Sequence, residues 1–506
     1  MLNMRNIFFA LIFPMAFLAV GCSSIIDANK QKASMMRAYS RGDNDAVIAN
    51  ISRRLDPDRR SSTVGSGDEL MWRLEAGAIF FVADRFEESI REFDTAEQLI
   101  EEFDARAVVS ARDVGAEAAV LFTNLNALPY RGLCRDRIMV PIFRAFAHLA
   151  QEDETGFRVE LFRLRENQQK VQEHFRSLFE QESAQVAAAR QQNPGAARDI
   201  DRRLATAETP VNASPAAGDT PRTNNRSFDA GWAQVKQVAH QGYGGFLNPL
   251  GIFLSGYGYL RDGDNENAHV DFARLYQAMP EHPMVQGHYK AVLELSGRDI
   301  PEELQEVAAP DFPLDRDNVL VVFANGRGAT FRQIAIYFPI MTAWPMCEFH
   351  DAPYSFLGVT ADGQRLRTLT IADMDGILAQ EFDDRLPGII TRIVLSTAIK
   401  EASKFAATYA VGRQNVFAGL GVFLGASIYT ALMNTADTRN WEIMPKEFQI
   451  VQFPMPDDHT VTLSFDGHGA AGETIILPEN SRSAIIYVNA PSSRAVSYKV
   501  MSFTSK

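Results

Sequence analysis

Cysteine is scarce: three in 506 residues leave no room for a disulfide framework. The nine histidines never fall into His-Glu-x-x-His, and no serine sits in Gly-x-Ser-x-Gly, so the local signatures of a zinc hydrolase and a serine hydrolase are both missing. His282 and His288 are six apart, a spacing that does not set two imidazoles on one helical face. Two acidic stretches fail as calcium loops. Aligning Gly376 of Asp373-Met374-Asp375-Gly376 to the invariant glycine puts Ile371 and Phe382 at ligand positions, and Asp262-Gly263-Asp264-Asn265 has Asn267 where that glycine belongs. Asn325-Gly326-Arg327-Gly328 lacks the lysine and hydroxyl of a phosphate loop and reads as a hairpin turn between two strands. Positive charge is also short. Fifty Lys and Arg against 63 Asp and Glu give a formal −13, the wrong sign for a nucleic-acid partner. No catalytic residue, metal or cofactor is assigned from the sequence.

What is present begins with a leader. Residues 1–20 carry one charge, Arg5, then an almost unbroken apolar run from Ile7 to Val20, the layout of a secretory signal. The run ends on Leu18-Ala19-Val20-Gly21-Cys22, followed by polar Ser23-Ser24. This ending resembles the lipobox of bacterial lipoproteins, with Ala19 where such boxes usually carry Leu. The resemblance implies a signal peptide over 1–21, lipid on the Cys22 thiol and acylation of its new amino group; Ser23 after the cysteine is similar to the form sent to the outer membrane, facing the periplasm. Each buried methylene contributes about 0.8 kcal/mol, so several acyl chains make a stable anchor. Loss of Arg5 takes the formal charge from −13 to −14. Cys134 and Cys347 then remain, either to pair as a disulfide or to stay as two buried thiols.

Residues 22–65 are polar and charged and read as an anchor-proximal tether with a short helix. Ser66-x-x-Glu69 offers a capping box at a helix start. Gly77, Phe80, Phe86, Ser89, Phe93 and Ala96 follow at helical spacings broken by one turn, a pair of antiparallel helices packing small residues against large ones. The unit resembles a tetratricopeptide repeat. A 34-residue shift lands on Ala111, Val114, Val120, Thr123, Ala127 and Tyr130, and a second on Ala145, His148, Glu154, Phe157, Leu161 and Leu164, which makes His148 a packing residue. Gly256, Tyr259, Asn265, Ala268, Phe272 and Leu275 repeat the intervals further on. Between these units, 157–192 reads as one long helix. Residues 193–227, with four prolines and almost no large apolar residue, read as a disordered insertion.

Beyond Pro310 the texture turns to short strands: 319–323, 331–338, 365–371, then 448–453, 460–465, 474–477, 484–488 and 496–503. A helical insertion over about 373–435 divides them. It includes the apolar run 416–433 with Gly419, Gly421 and Gly425, read as a helix buried against the strands although near the lower limit of a span. The order of parts, with Leu128-Pro129-Tyr130-Arg131-Gly132, Asn248-Pro249 and Ala436-Asp437-Thr438-Arg439-Asn440-Trp441, resembles a family of uncharacterised bacterial lipoproteins. The fold class expected is multidomain: a tetratricopeptide-like helical domain at 66–300, then an α+β domain at 301–506 built on a β-sandwich. The function expected is a lipid-anchored envelope scaffold. The concave face of its helical stack would hold a protein partner, and the resemblance hints at peptidoglycan synthesis or envelope assembly. The alternative is a periplasmic enzyme or ligand-binding protein with a dispersed site in the C-terminal part.

Overall fold

A computed structural model describes residues 28–110, 129–192, 198, 226–337, 341–386, 436–465 and 472–504. The leader and Cys22, the second repeat frame from Ala111 to Ala127, most of the 193–227 insertion and the apolar run 416–433 lie outside the described residues.

The N-terminal part is helical: α1 (Ala28–Tyr39), α2 (Asn44–Leu55), α3 (Glu69–Val82), α4 (Phe86–Ser110), α5 (Cys134–Ala150), α6 (Glu154–Gln192), α7 (Arg226–Ala239), α8 (Pro249–Arg261), α9 (Asn265–Ala278) and α10 (Pro283–Leu295). The C-terminal part holds β1 (Asn318–Asn325), β2 (Thr330–Tyr337), β3 (Met341–Glu348), β4 (Leu357–Ala361), β5 (Gln364–Arg367), β6 (Leu369–Asp373), helix α11 (374–386), β7 (Glu447–Pro454), β8 (Thr460–Phe465), β9 (Glu473–Ile476), β10 (Ser483–Ser492) and β11 (Ala495–Phe503). The class is α plus β.

Three sheets form. The central one runs β11-β10-β1-β7-β6, a second is β2-β3, and the third is β5-β4-β8-β9. Strand β1 pairs parallel with β10, Val319 opposite Ala484, and antiparallel with β7. Every residue of β1 is buried because both sides of its sheet are covered. Leu320, Val322 and Ala324 point with Ile450, Ile485 and Tyr487 into a core shared with the helices. Val319, Val321 and Phe323 point the other way, onto Leu357, Val359, Val461 and Leu463 of the third sheet. Two of the sheets thus pack face to face, and the helices close the outer face of one of them. Helix α7 belongs to a separate small core, in which Phe228 and Trp232 pack on Trp344 of β3 and Phe382 of α11.

The stretch read as a tether is part of this body. Met35, Met36, Tyr39, Val47 and Ile51 of α1 and α2 are buried in the main core. Their apolar positions are few, but they recur at helical spacing, and the charged residues between them face outward, with Lys32 the exception. Strands β3 and β4 fall outside the expected set. Pro345 lies mid-strand in β3, where it is tolerated because, among the described residues, β3 pairs with β2 alone.

Candidate functional site

The repeat residues come together as helix hairpins. A Cβ on Gly77 would sit 2.7 Å from the Phe93 ring, and one on Gly256 would sit 2.8 Å from Phe272. Only glycine lets the two helices approach so closely. Ser89 Oγ donates to the Gly77 carbonyl at 2.7 Å, and Phe80, Phe93, Ala96, Ala268 and Phe272 are buried. Phe86 is half-buried with its ring 5.9 Å from Phe81. Tyr259, also half-buried, lies 4.9 Å from Phe162 under the Arg165 guanidinium at 4.3 Å. Ala145, Phe157, Leu161 and Leu164 of the third frame are buried as well. His148 contacts Asp153 through Nδ1 at 2.8 Å, a packing histidine at a turn.

One turn is used four times. Gly42, Asp84, Glu152 and Gly263 have φ of 75°, 61°, 62° and 74° between α1 and α2, α3 and α4, α5 and α6, and α8 and α9. The next amide donates five residues back in each case: Asp43 to Ala38, Arg85 to Phe80, Asp153 to His148, Asp264 to Tyr259. This is the left-handed helix stop that satisfies orphan carbonyls, followed at once by a new helix. In three of the four, an Asp side chain caps that helix by accepting from the amide three residues on, at Ala46, Gly156 and Asn267. The first hairpin was not among the expected repeats. Its signal is Gly42-Asp43-Asn44-Asp45, which restates Gly263-Asp264-Asn265-Glu266.

The face that the hairpins turn toward the sheet is not open. Tyr487 of β10 lies 5.1 Å from Phe81, 5.6 Å from Phe146 and 6.5 Å from Phe143, ring to ring. Trp441, fully buried, lies 5.8 Å from Phe93 and 5.7 Å from Phe143. Phe503 of β11 meets Phe157 at 5.3 Å. The expectation that this face holds a partner is therefore corrected: the chain's own sheet fills it. What remains outside is the far side of α4 and α6, with Glu87, Arg91, Asp94 and Glu101, and Arg158, Val159, Arg163 and Lys170, exposed.

Charged groups are buried along the seam between helices and sheet. Lys32 Nζ lies 2.8 Å from Glu75 Oε1 and donates to the Asn440 carbonyl, while Glu75 accepts from the amides of Glu442 at 2.8 Å and Ile443 at 3.0 Å. Arg135, wholly buried, donates to Asn440 Oδ1 at 2.5 Å and the Ala329 carbonyl at 3.3 Å. Asp375 accepts from Ala329 N at 2.5 Å and Lys446 Nζ at 2.6 Å. Glu381 of α11 accepts from the Cys134 amide at 2.9 Å, and burial pushes its carboxyl up to about 7. Burial also raises Asp136, opposed by Arg135 and by the Tyr130 hydroxyl that donates to it at 2.5 Å. These carboxylates are consumed in fastening backbone to backbone.

Cys134 and Cys347 are free and buried, and burial pushes both thiols up, so neither is poised as a nucleophile. Asn325-Gly326-Arg327-Gly328 is not a hairpin turn: it carries the chain from the central sheet into the β2-β3 ribbon. Gly326 has φ of 72° and donates to the Ala490 carbonyl, and Asn325 Nδ2 reaches the Tyr354 carbonyl at 2.6 Å. The loop lies at the carboxyl end of the parallel β1-β10 pair. Around Arg327 are the carboxyl of Glu442, raised by burial, and His350, lowered by burial and next by the arginine charge. Asp373 caps α11, accepting from Asp375 N and Gly376 N, and is raised to about 6 by burial. His282 accepts from Val285 N as a helix cap, and His288 contacts Gln452 at 2.9 Å. Among the described residues no group of three His, Cys, Asp or Glu is placed to hold a metal, and no helix is long and apolar enough to cross a membrane.

No protein-family model, curated protein or solved structure matches the chain.

Proposed function

We propose that the chain is a lipid-anchored envelope lipoprotein, fixed at Cys22, that works as a protein-binding scaffold built on tetratricopeptide-like hairpins. The observation that carries this reading is the fourfold use of one hairpin turn with small-to-large packing between its helices, a form suited to presenting long surfaces. Because the inner face is filled, the contact surfaces are the outer sides of α4 and α6 and the end of the array at α9 and α10. Helix α6 has 39 residues against 17 in its partner α5, so at about 1.5 Å per residue it runs roughly 30 Å past it, the first turns of that extension packed through buried Phe175 on Phe246. The resemblance in the sequence adds an outer-membrane location facing the periplasm, and peptidoglycan synthesis or envelope assembly as the setting.

The test is photo-crosslinking in cells, with a benzophenone amino acid at Glu101, Lys170 or Val270 of the full chain. A scaffold gives a discrete adduct from at least one of these positions and none from buried Phe81; absence of adducts from all three contradicts the reading. The alternative, a ligand-binding or enzymatic site, draws on Arg327, Glu442 and His350 at the carboxyl end of β1, where ligands commonly sit in parallel sheets. Substituting Arg327 leaves the scaffold's adducts intact and removes ligand binding under that second reading.

A further inference from the structure

The last helix of the array, α10, is followed by the segment 302–308, which folds back along it: Lys290 donates to carbonyls of that segment, and a Cβ on Gly287 would sit 2.7 Å from the Ala308 carbonyl oxygen. A terminal unit of a stacked array normally ends in a polar face. Here the rings of Tyr276 and Tyr289 stack at 5.1 Å and 24°, and His269 adds a third ring 5.9 Å from Tyr289. Val270 and Leu295 are 45% and 53% exposed on the same two helices.

The charge around these rings is lopsided. Residues 262–311 contain eleven Asp and Glu against three Lys and Arg, a formal −8 within a chain whose total is −13. All three cations are already engaged. Arg298 is held by Glu266 at 2.5 Å, Lys290 donates to the carbonyls of Gln305 at 2.6 Å and Val307 at 2.8 Å, and Arg274 lies 3.9 Å from Asp271. Glu281, Glu294, Asp299, Glu302, Glu303, Glu306 and Asp311 are exposed and make no ion pair among the described residues. Burial raises the Tyr276 hydroxyl, with the charges of Glu303 and then Glu281 adding to it; burial also raises Tyr289, where the Arg298 charge opposes and Glu303 adds a smaller push upward.

Resting on the scaffold reading, we propose that the outer face of α9 and α10 is the docking surface for a basic protein segment, whose Arg or Lys side chains lie over the Tyr276–Tyr289 stack while Glu281 and Glu303 pair with them. An aromatic face attracts a cation by about 0.5–2 kcal/mol, and an unneutralised carboxylate rim adds steering and sign selectivity. A membrane surface or a nucleic acid, both anionic, is repelled by the same rim.

The test uses the full chain in detergent and a fluorescein-labelled octapeptide of alternating Arg and Ala, read by anisotropy, with alternating Glu and Ala as control. Binding of the arginine peptide alone is expected. Tyr276→Ala with Tyr289→Ala weakens it about tenfold, the paired Phe variant retains it, and Glu281→Gln with Glu303→Gln weakens it and flattens its salt dependence. Glu87→Gln with Glu101→Gln on α4 changes nothing. The carboxylates are on the surface and the two tyrosines are half-buried against the main core, so near-UV circular dichroism checks that each variant stays folded. Equal losses from the α4 and α9–α10 carboxylates, insensitivity to the tyrosines, or no binding of the arginine peptide overturns the proposal. Cellular adducts from Glu101, Lys170 or Val270 in that event leave the scaffold reading standing, and their absence from all three removes it as well.

Discussion

Glu381→Gln should make the protein more stable at neutral and alkaline pH, and the size of the gain follows from where the carboxyl sits. Glu381 is buried, accepts the Cys134 amide at 2.9 Å and has Arg385 at 3.5 Å, yet its carboxyl is raised to about 7 because burial outweighs both partners. In the unfolded chain a glutamate titrates near 4.3. Between those values the folded state holds a proton that the unfolded state has released, so stability falls as pH rises from the unfolded value through the folded one. Above pH 8 the carboxylate is charged in both states and the cost is fully present, on the order of 4 kcal/mol at about 1.4 kcal/mol for each pH unit between the two titration points. Glutamine keeps an acceptor for the Cys134 amide and carries no charge. Urea unfolding of wild type and variant at pH 4, 6 and 8 is the assay. The two midpoints should nearly coincide at pH 4 and separate progressively, with the variant higher at pH 8. Parallel pH profiles would show that Glu381 is not buried as a proton-holding group. Asp373, also raised by burial, contributes a slope of the same sign that cancels in the comparison, whereas Asp136, whose charge helps raise Glu381, titrates with it.

Gly77→Ala and Gly256→Ala each force a phenyl ring to move from a Cβ placed within 3 Å, and thermal unfolding should show a loss of about 1–3 kcal/mol; Gly251→Ala, where the nearest atom is an Ile138 methyl at the larger distance of 3.3 Å, should lose less. Glu75→Ala leaves buried Lys32 and two backbone amides without an acceptor and should cost about 3–5 kcal/mol, whereas Lys32→Met with Glu75→Leu should recover part of that in the same measurement. Labelled palmitate should enter the wild-type chain and not Cys22→Ser, and label in the variant would rule out the anchor.

Most strands were legible because their alternation is strong: β1, β2, β7, β8, β9, β10 and β11 all fall on segments that alternate or run apolar between turns. Strand β4 was missed because five residues with a glycine second, Gly358, carry too little pattern, and β3 because Pro345 argues against a strand unless one edge is free. Repeat packing was legible at Gly77 and Gly256, where a glycine inside a helix requires a close neighbour. It was illegible in α1 and α2, where Met35 and Ile51 take the equivalent places and the surrounding charge suggests a solvated spacer. The parallel pairing of β1 with β10 joins residues 165 apart, as Val319 with Ala484, and no local signal encodes it. The buried seam was invisible for the same reason. Lys32, Glu75, Arg135 and the pair Asp375 and Glu381 come from four separate segments, each residue reading alone as an ordinary surface charge.

That seam and the Tyr487 contacts carry the central claim, that helices and sheet are one cooperative body with the array's inner face closed. Native-state hydrogen exchange in rising urea, read by peptide mass spectrometry, tests it most directly. Peptides from α3, α5, β1 and β10 should lose protection together, with the same dependence on urea. Exchange of α3 and α5 at lower urea than β1 and β10, in a class of their own, would mean that the helical array opens independently and that its inner face is available to a partner after all.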